Sequence, residues 1–327
     1  MNTKIIVLFL FLVVINIITI YFSIKEKEPM QSIPLNIGNY LNRYFGAVGI
    51  AFYNNRDFDY DDYKIDYDLN YPQNDFCSKL PRKIPFHPEI GKRLSIISEA
   101  NMAEISELTK LAASWTVNND SIHIFWKSIK PIVTQTMDDV FKQLDLVKDV
   151  RHPVIHFRCS DVPFVLGNQY KFQKYKFYTD LLTKAKSENP NLNTRLVYFL
   201  YNNGHNSNPR QQETCDIYYE SLCSYLKNNG IDSKNVTESN IDDLAMLFYA
   251  PVSISPGSSF SFMAGFFGKG RFYSAGNASH SYDNLKSTCI NCDWLINDYQ
   301  LEHTLIPSGI NDLGYYDTAD VIQKLYS

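Results

Sequence analysis

The chain has 327 residues, 45% hydrophobic and 20% charged, which is enough for two modest domains or one large one with an ample core. A formal net charge of −4 and the lack of a long basic run argue against nucleic acid as a partner, although a local basic patch around a phosphate is compatible with them.

Taken in order, the first signal is Ile5 to Ile24, an apolar run interrupted only by Asn16, Thr19 and Ser23. At about 1.5 Å per residue such a run spans roughly 30 Å, the hydrocarbon thickness of a bilayer. A cleaved signal peptide is the competing reading. Its apolar core is usually about 7–15 residues and ends at a small-residue cleavage site, whereas this run is longer and has no such exit. The expectation is a transmembrane signal anchor over residues 1–24, single-pass and type II, with the large C-terminal part in a Golgi- or ER-type lumen. Lys4 on one flank and Lys25 and Lys27 on the other leave the positive-inside rule undecided; the short N-terminal tail favours this topology. Residues 25–36, polar and holding Pro29 and Pro34, read as a stem.

Gly38-Asn39 then opens an amphipathic helix in which Leu41, Tyr44, Phe45, Val48 and Phe52 recur at intervals of three and four. Gly46, Ala47, Gly49 and Ala51 let it pack tightly. Residues 53–90, rich in Asp, Tyr, Asn and Pro, lack periodicity and read as a long irregular insertion. Helices are expected over Arg93–Leu111 and Ile129–Val147. From Val154 the pattern alternates: a strand Val154–Phe157, a helix Lys176–Ser187, a strand Arg195–Tyr201, helices Glu213–Asn228 and Asp242–Tyr249, a strand Val252–Ser255 and a helix Ser258–Phe267 stopped at Gly268. Strands alternating with helices at this spacing argue an α/β fold built on a parallel sheet.

The six cysteines are Cys77, Cys159, Cys215, Cys223, Cys289 and Cys292. Their even number permits disulfides in a lumenal domain without specifying any pair. Cys289-x-x-Cys292 has no second pair and no histidines at finger spacing, so it does not read as a zinc site. Three N-x-Ser/Thr triplets, at Asn119, Asn235 and Asn277, add little in an Asn-rich chain.

Two stretches carry chemistry. In Val154–Asp161 a buried strand runs straight into His156, Arg158 and Asp161. That is what the carboxyl end of a strand looks like when a ligand binds there, and an arginine is a natural clamp for phosphate. The alternative is an Arg158 paired with a nearby acid and a His156 satisfied in the core. In Pro256-Gly257-Ser258-Ser259-Phe260-Ser261 a glycine and serines follow a strand and open a helix, where backbone N–H groups, the helix dipole and hydroxyls favour an anion. An ordinary serine N-cap is the competing reading.

Three pieces in order resemble the fucosyltransferase superfamily, closest to its α1,2 branch and also similar to the core α1,6- and protein O-fucosyltransferases. Gly38-Asn39-Tyr40-Leu41 followed by Tyr44 is similar to the family's Gly-Asn-Gln-Leu/Met segment. His156-Phe157-Arg158-Cys159-Ser160-Asp161 resembles its His-x-Arg-Arg-x-Asp, and Asp243 through Ala250 to Ser258-Ser259-Phe260-Ser261 resembles its last motif. Phe177-Tyr178 and Tyr201-Asn202-Asn203 sit where the family has a Tyr-Tyr helix and a Phe-Ser-Asp-Asp strand end. The likeness covers roughly residues 36 to 290. Cys159, Tyr40 and the Asn202-Asn203 pair depart from the family pattern, which has arginine, glutamine and an acidic pair there.

The resemblance implies a GT-B-like architecture, two Rossmann-like domains around a cleft: residues 37–150 on the acceptor side, with 53–90 as an acceptor-facing surface, and residues 151–327 binding the nucleotide sugar. It implies inverting, metal-independent transfer of fucose from GDP-fucose to a glycan hydroxyl, with no cofactor. Arg158 would clamp the β-phosphate, and Ser258, Ser259 and Ser261 with the start of their helix would hold the same pyrophosphate. Gly38 and Asn39 would face it from the N-terminal side. His156 is carried over as a nucleotide contact, and Asn202, Asn203 and Asp243 as further donor-side contacts. Asp161 is the nearest carboxylate for the general base, with Asp243 behind it; each has a structural alternative, orienting Arg158 or capping a helix. A catalytically inactive glycan- or protein-binding member of the fold, or a transferase using another nucleotide sugar, are the alternatives.

Overall fold

A computed structural model describes residues 37–69, 74–112, 120–159, 173–202, 209–275, 292–295, 322–323 and 325–326. The expected membrane anchor (1–24) and stem (25–36) lie outside these residues. Among the described residues, no helix is long and apolar enough to cross a membrane.

The chain is built around α1 (Ile37–Tyr53), which is buried on nearly every side rather than along one stripe. Its small residues explain why: a Cβ on Gly46 would fall 2.5 Å from Thr109 Cβ, and one on Gly49 would fall 2.4 Å from the Phe125 ring. Residues 53–90 are more regular than their sequence suggests. Strands β1 (Phe58–Asp59) and β2 (Lys83–Ile84) form a two-stranded antiparallel ribbon, with the short helices α2 (Tyr60–Tyr63) and α3 (Asp75–Ser78) between them. Pro88 then starts α4 (Pro88–Leu94).

The single helix expected over Arg93–Leu111 is two. Helix α4 ends at Leu94, and the Ser98 hydroxyl caps a new helix, α5 (Glu99–Lys110), by accepting from Asn101 N. The next helix, α6 (Asp120–Gln143), begins well before Ile129 and carries Pro131 in its interior, where a sequence reading puts a helix start. It also stops early. Asp145 turns to φ 55°, and Leu146 N donates back to Phe141 O at 2.9 Å, which closes the helix end.

The second half is α/β. Strands β3 (Val154–His156), β4 (Leu196–Leu200), β5 (Asp232–Asn235), β6 (Val252–Ser255), β7 (Arg271–Ala275) and β8 (Cys292–Leu295) form one parallel sheet. Helices α7 (Tyr175–Glu188), α8 (Pro209–Asn228) and α9 (Asn240–Tyr249) connect its first four strands. After β6 come α10 (Ser259–Ser261) and a π-helical turn, Phe262–Phe266. The sequence reading misses β5, β7 and β8. Asp-Ser-Lys-Asn has no apolar alternation, because β5 is an edge strand. The sheet order is β5-β4-β3-β6-β7-β8. Ranked by chain order within the sheet, this is the dinucleotide-fold order 3-2-1-4-5-6, with its reversal between β3 and β6.

Successive residues of β3 serve different cores. Val154 joins the cluster of α1, α5, α6, α9 and the π-turn, and Ile155 joins that of α7 and α8. Both faces of the sheet are therefore covered, as parallel sheets require. The first of these cores runs across residue 150 without a break, from Ile37 to Phe272. This departs from two domains divided by a cleft. Residues 37–150 hold only the β1–β2 ribbon among their described strands, so the second parallel sheet that two Rossmann-like domains require is not found among the described residues.

Candidate functional site

Ligands of open α/β sheets bind outside the carboxyl ends of the strands, at the point where strand order reverses. Here that point lies between β3 and β6, which pair in parallel through Val154 with Ser253 and Ile155 with Ile254. His156 ends β3, Arg158 follows it, and Gly257-Ser258-Ser259 follow β6. Both chemistry-bearing stretches thus emerge side by side, although nearly a hundred residues separate them in sequence.

The start of α1 is docked onto the same place. A Cβ on Gly38 would lie 2.3 Å from Phe260 N, 2.5 Å from Phe260 Cα and 2.7 Å from the Ser259 carbonyl carbon. All three are backbone atoms, so only glycine fits. Next to it, Asn39 Oδ1 accepts a hydrogen bond from Ser259 Oγ at 2.6 Å. Across the reversal point, the His156 ring packs against Phe260 with centroids 5.6 Å apart. Gly38, Asn39, His156, Ser258 and Ser259, drawn from three distant segments, therefore meet around Phe260.

Within this cluster some hydroxyls are already engaged. Ser258 Oγ accepts from Phe260 N at 3.3 Å, so Ser258 is a helix N-cap, the plainer of its two readings. Ser261 is a correction. It is fully buried, its hydroxyl lies 2.5 Å from Ser255 Oγ and 3.3 Å from Ser258 O, and Gly257 N donates to that same Ser255 hydroxyl at 3.1 Å. Ser261 thus braces the turn from beneath rather than meeting a ligand. Gly257 has φ 111°, which suits glycine and little else.

Around Arg158 the burial alternates. Ile155, Phe157 and Cys159 are buried in the α7–α8 core, and His156 and Arg158 are half-buried on the other side of the chain. Cys159 forms a disulfide with Cys215 of α8. This changes the meaning of the departure at position 159, which points into an apolar core where a second cation would be costly. The bond also removes Cys159 from any role as a nucleophile. No local spacing announces the pair, since 56 residues separate the two cysteines. Sequence reasoning missed both this bond and the central place of Phe260.

Asp243 is the second correction. It lies in the first turn of α9, is 7% exposed, and its Oδ1 accepts from Glu238 N at 3.1 Å. The carboxylate holds the turn between β5 and α9. Burial pushes its pKa up to about 6, against the hydrogen bond from Glu238. Asn202 is exposed just beyond the carboxyl end of β4. Asp161 and Asn203 lie outside the described residues. Among the described residues, no three His, Cys, Asp or Glu side chains gather as a metal centre would need.

The carboxyl end of the sheet thus brings an imidazole, an amide and a serine-capped turn around a backbone packed too closely for any side chain at position 38, with the half-buried Arg158 two residues beyond His156. Such a set suits an anionic, hydrogen-bonding ligand. Compared with protein-family models, curated proteins and solved structures, the chain matches none.

Proposed function

We propose that this chain is a membrane-anchored glycosyltransferase that moves fucose from GDP-fucose to a glycan hydroxyl, with inversion and without a metal. One observation carries the reading: the three motif segments converge at the switch point of the sheet, with Asn39 bonded to Ser259 across 220 positions of sequence. In this reading residues 151–327 are the nucleotide-sugar half of a GT-B-like transferase. Residues 37–150, helical rather than sheet-based, form the acceptor side.

The reaction forms a bond from the glycan oxygen to the anomeric carbon as the bond from that carbon to the β-phosphate oxygen breaks. GDP leaves with the electron pair, and the hydroxyl proton passes to a base, assigned here to Asp161. Arg158 stabilises the charge growing on the departing phosphate. Gly38 and Asn39 let the α1 backbone approach the pyrophosphate, His156 borders the nucleotide, and Asn202 and Asn203 meet the base. A disulfide in the domain supports an oxidising lumen as its compartment, reached through the anchor at 1–24 and the stem at 25–36.

Calorimetric titration of the full chain in detergent with GDP, GMP and UDP tests this. GDP is expected to bind about tenfold or more tightly than GMP, since a second phosphate reaches a charge-assisted hydrogen bond worth roughly 1.5–3 kcal/mol. Failure of every nucleotide to bind at millimolar concentration would refute the proposal, and a preference for UDP would replace the donor. GDP binding without transfer to any glycan acceptor would leave a binding module on the same fold.

A further inference from the structure

Arg158 sits between two anchored neighbours. On one side Phe157 N donates to Leu200 O at 3.1 Å, extending the β3–β4 ladder by one rung, and the Phe157 ring packs edge-on against Tyr201 with centroids 5.5 Å apart. On the other side Cys159, 2% exposed, is joined to Cys215, which is fully buried in α8. The chain is thus held immediately before and immediately after the guanidinium's own residue, on the side away from the candidate site.

We propose that the Cys159–Cys215 disulfide is a positioning device for Arg158. It fixes the backbone beyond the end of β3 to α8, so that the guanidinium is presented at the reversal point before a ligand arrives. The inference rests on the proposed function, since it assumes that Arg158 meets the nucleotide phosphates. Its physical basis is independent of the family pattern. Past His156 the ladder carries the segment for one more residue, through Phe157 N to Leu200 O. A side chain at 159 faces apolar neighbours, among them Phe157 and Tyr218, so a hydrogen bond or ion pair there would be poorly solvated. A covalent bond into a long, well-buried helix restrains the position without polar groups. It ties position 159 to α8 across a sequence separation of 56. Both sulfurs are buried, so the bond is a fixed brace rather than a reductant-operated switch. Holding an arginine fork in its working geometry matters because small displacements of a positioned group are expensive in binding and rate.

The test is a double-mutant cycle read by GDP calorimetry, on the full chain and well below each variant's unfolding temperature. Its members are the wild type, Arg158→Ala, the pair Cys159→Ala/Cys215→Ala, and the triple variant. The pair is expected to weaken GDP binding about tenfold or more, and adding Arg158→Ala to it to change affinity less than about threefold, because the arginine has already lost its place. A merely structural disulfide lowers thermal stability but leaves the Arg158→Ala effect at full size in the pair; that outcome overturns the proposal. So does a pair that binds GDP within about twofold of wild type while Arg158→Ala alone is weak, and in that case the proposed function stands. A wild type that binds no GDP, or an Arg158→Ala variant that binds it normally, removes the proposed role of Arg158 and this inference with it. If the alanine pair does not fold, Cys159→Val/Cys215→Ala, which restores apolar volume at position 159, carries the same cycle.

Discussion

Substitution of Gly38 by alanine probes the docking of α1 onto the turn after β6. The added methyl would sit 2.3, 2.5 and 2.7 Å from three backbone atoms of Ser259 and Phe260. Ordinary carbon contacts are about 3.5–4.0 Å, so the two segments must separate by about 1 Å. That movement stretches the 2.6 Å bond from Ser259 to Asn39 beyond hydrogen-bonding reach. Overpacking costs about 1–3 kcal/mol and the lost bond about 1 more, and the helix-propensity gain of alanine over glycine returns roughly 1, so the net loss is about 2 kcal/mol. Urea unfolding monitored by circular dichroism should show a lower midpoint with an unchanged slope, and calorimetry should show weakened GDP binding. Gly230→Ala is the control. Its Cβ meets nothing within 4 Å, but φ is +75°, so it should lose about 1 kcal/mol through backbone strain and leave GDP binding unchanged. A Gly38→Ala protein within about 0.5 kcal/mol of wild type that binds GDP normally would refute the argument that glycine at 38 is required by close backbone approach.

Arg158→Ala should lower transfer about a hundredfold or more while leaving the unfolding midpoint nearly unchanged, and near-normal turnover would remove Arg158 from the mechanism. The Asp243 carboxyl, pushed up to about 6 by burial, keeps its proton in the folded state between about pH 4 and 6, where the unfolded chain has given it up. The group's contribution is therefore full below about pH 4 and lost as pH rises through 6. Asp243→Asn should stabilise the protein by about 1–2 kcal/mol at pH 7 and hardly at all at pH 4, after allowance for solvent screening; equal effects at the two pH values would contradict the burial argument. Lys130 is half-buried against the π-turn, donates to Phe266 O, and has its pKa lowered to about 8, chiefly by desolvation. The unfolded chain then binds the extra proton between about pH 8 and 10.5, so this lysine should make stability rise with pH across that window. Wild type should gain on Lys130→Met by about 1–2 kcal/mol between pH 8 and 10, and a constant difference would place Lys130 in water.

Much of the α/β half was legible because its elements announce themselves locally. The run Val252–Ser255 and the apolar spacing of Asp242–Tyr249 follow from periodicity and caps. The missed strands have no such local signal. Strand β5 owes its state to the neighbour it pairs with, Leu196 to Phe199, and not to its own polar residues. The helical half was less legible for a similar reason. Ser98 divides one apolar run into two helices, and Pro131 sits inside a helix that the surrounding packing sustains.

For the site, residue types and their place at strand ends already named His156, Arg158, Ser258 and Ser259, because each chemical role needs its side chain and a strand end exposes it, whereas Gly38 and Asn39 came from the family resemblance. Which of those side chains meet depended on the order of strands, and periodicity along the chain carries no information about that order. Placing β3 beside β6 brings His156 to Phe260, and seating α1 there brings Asn39 to Ser259. The same packing turned Ser261 and Asp243 inward. It also gave Cys159 a partner in α8, since a disulfide requires two cysteines to lie close in space, and only the folded chain brings residues 159 and 215 together.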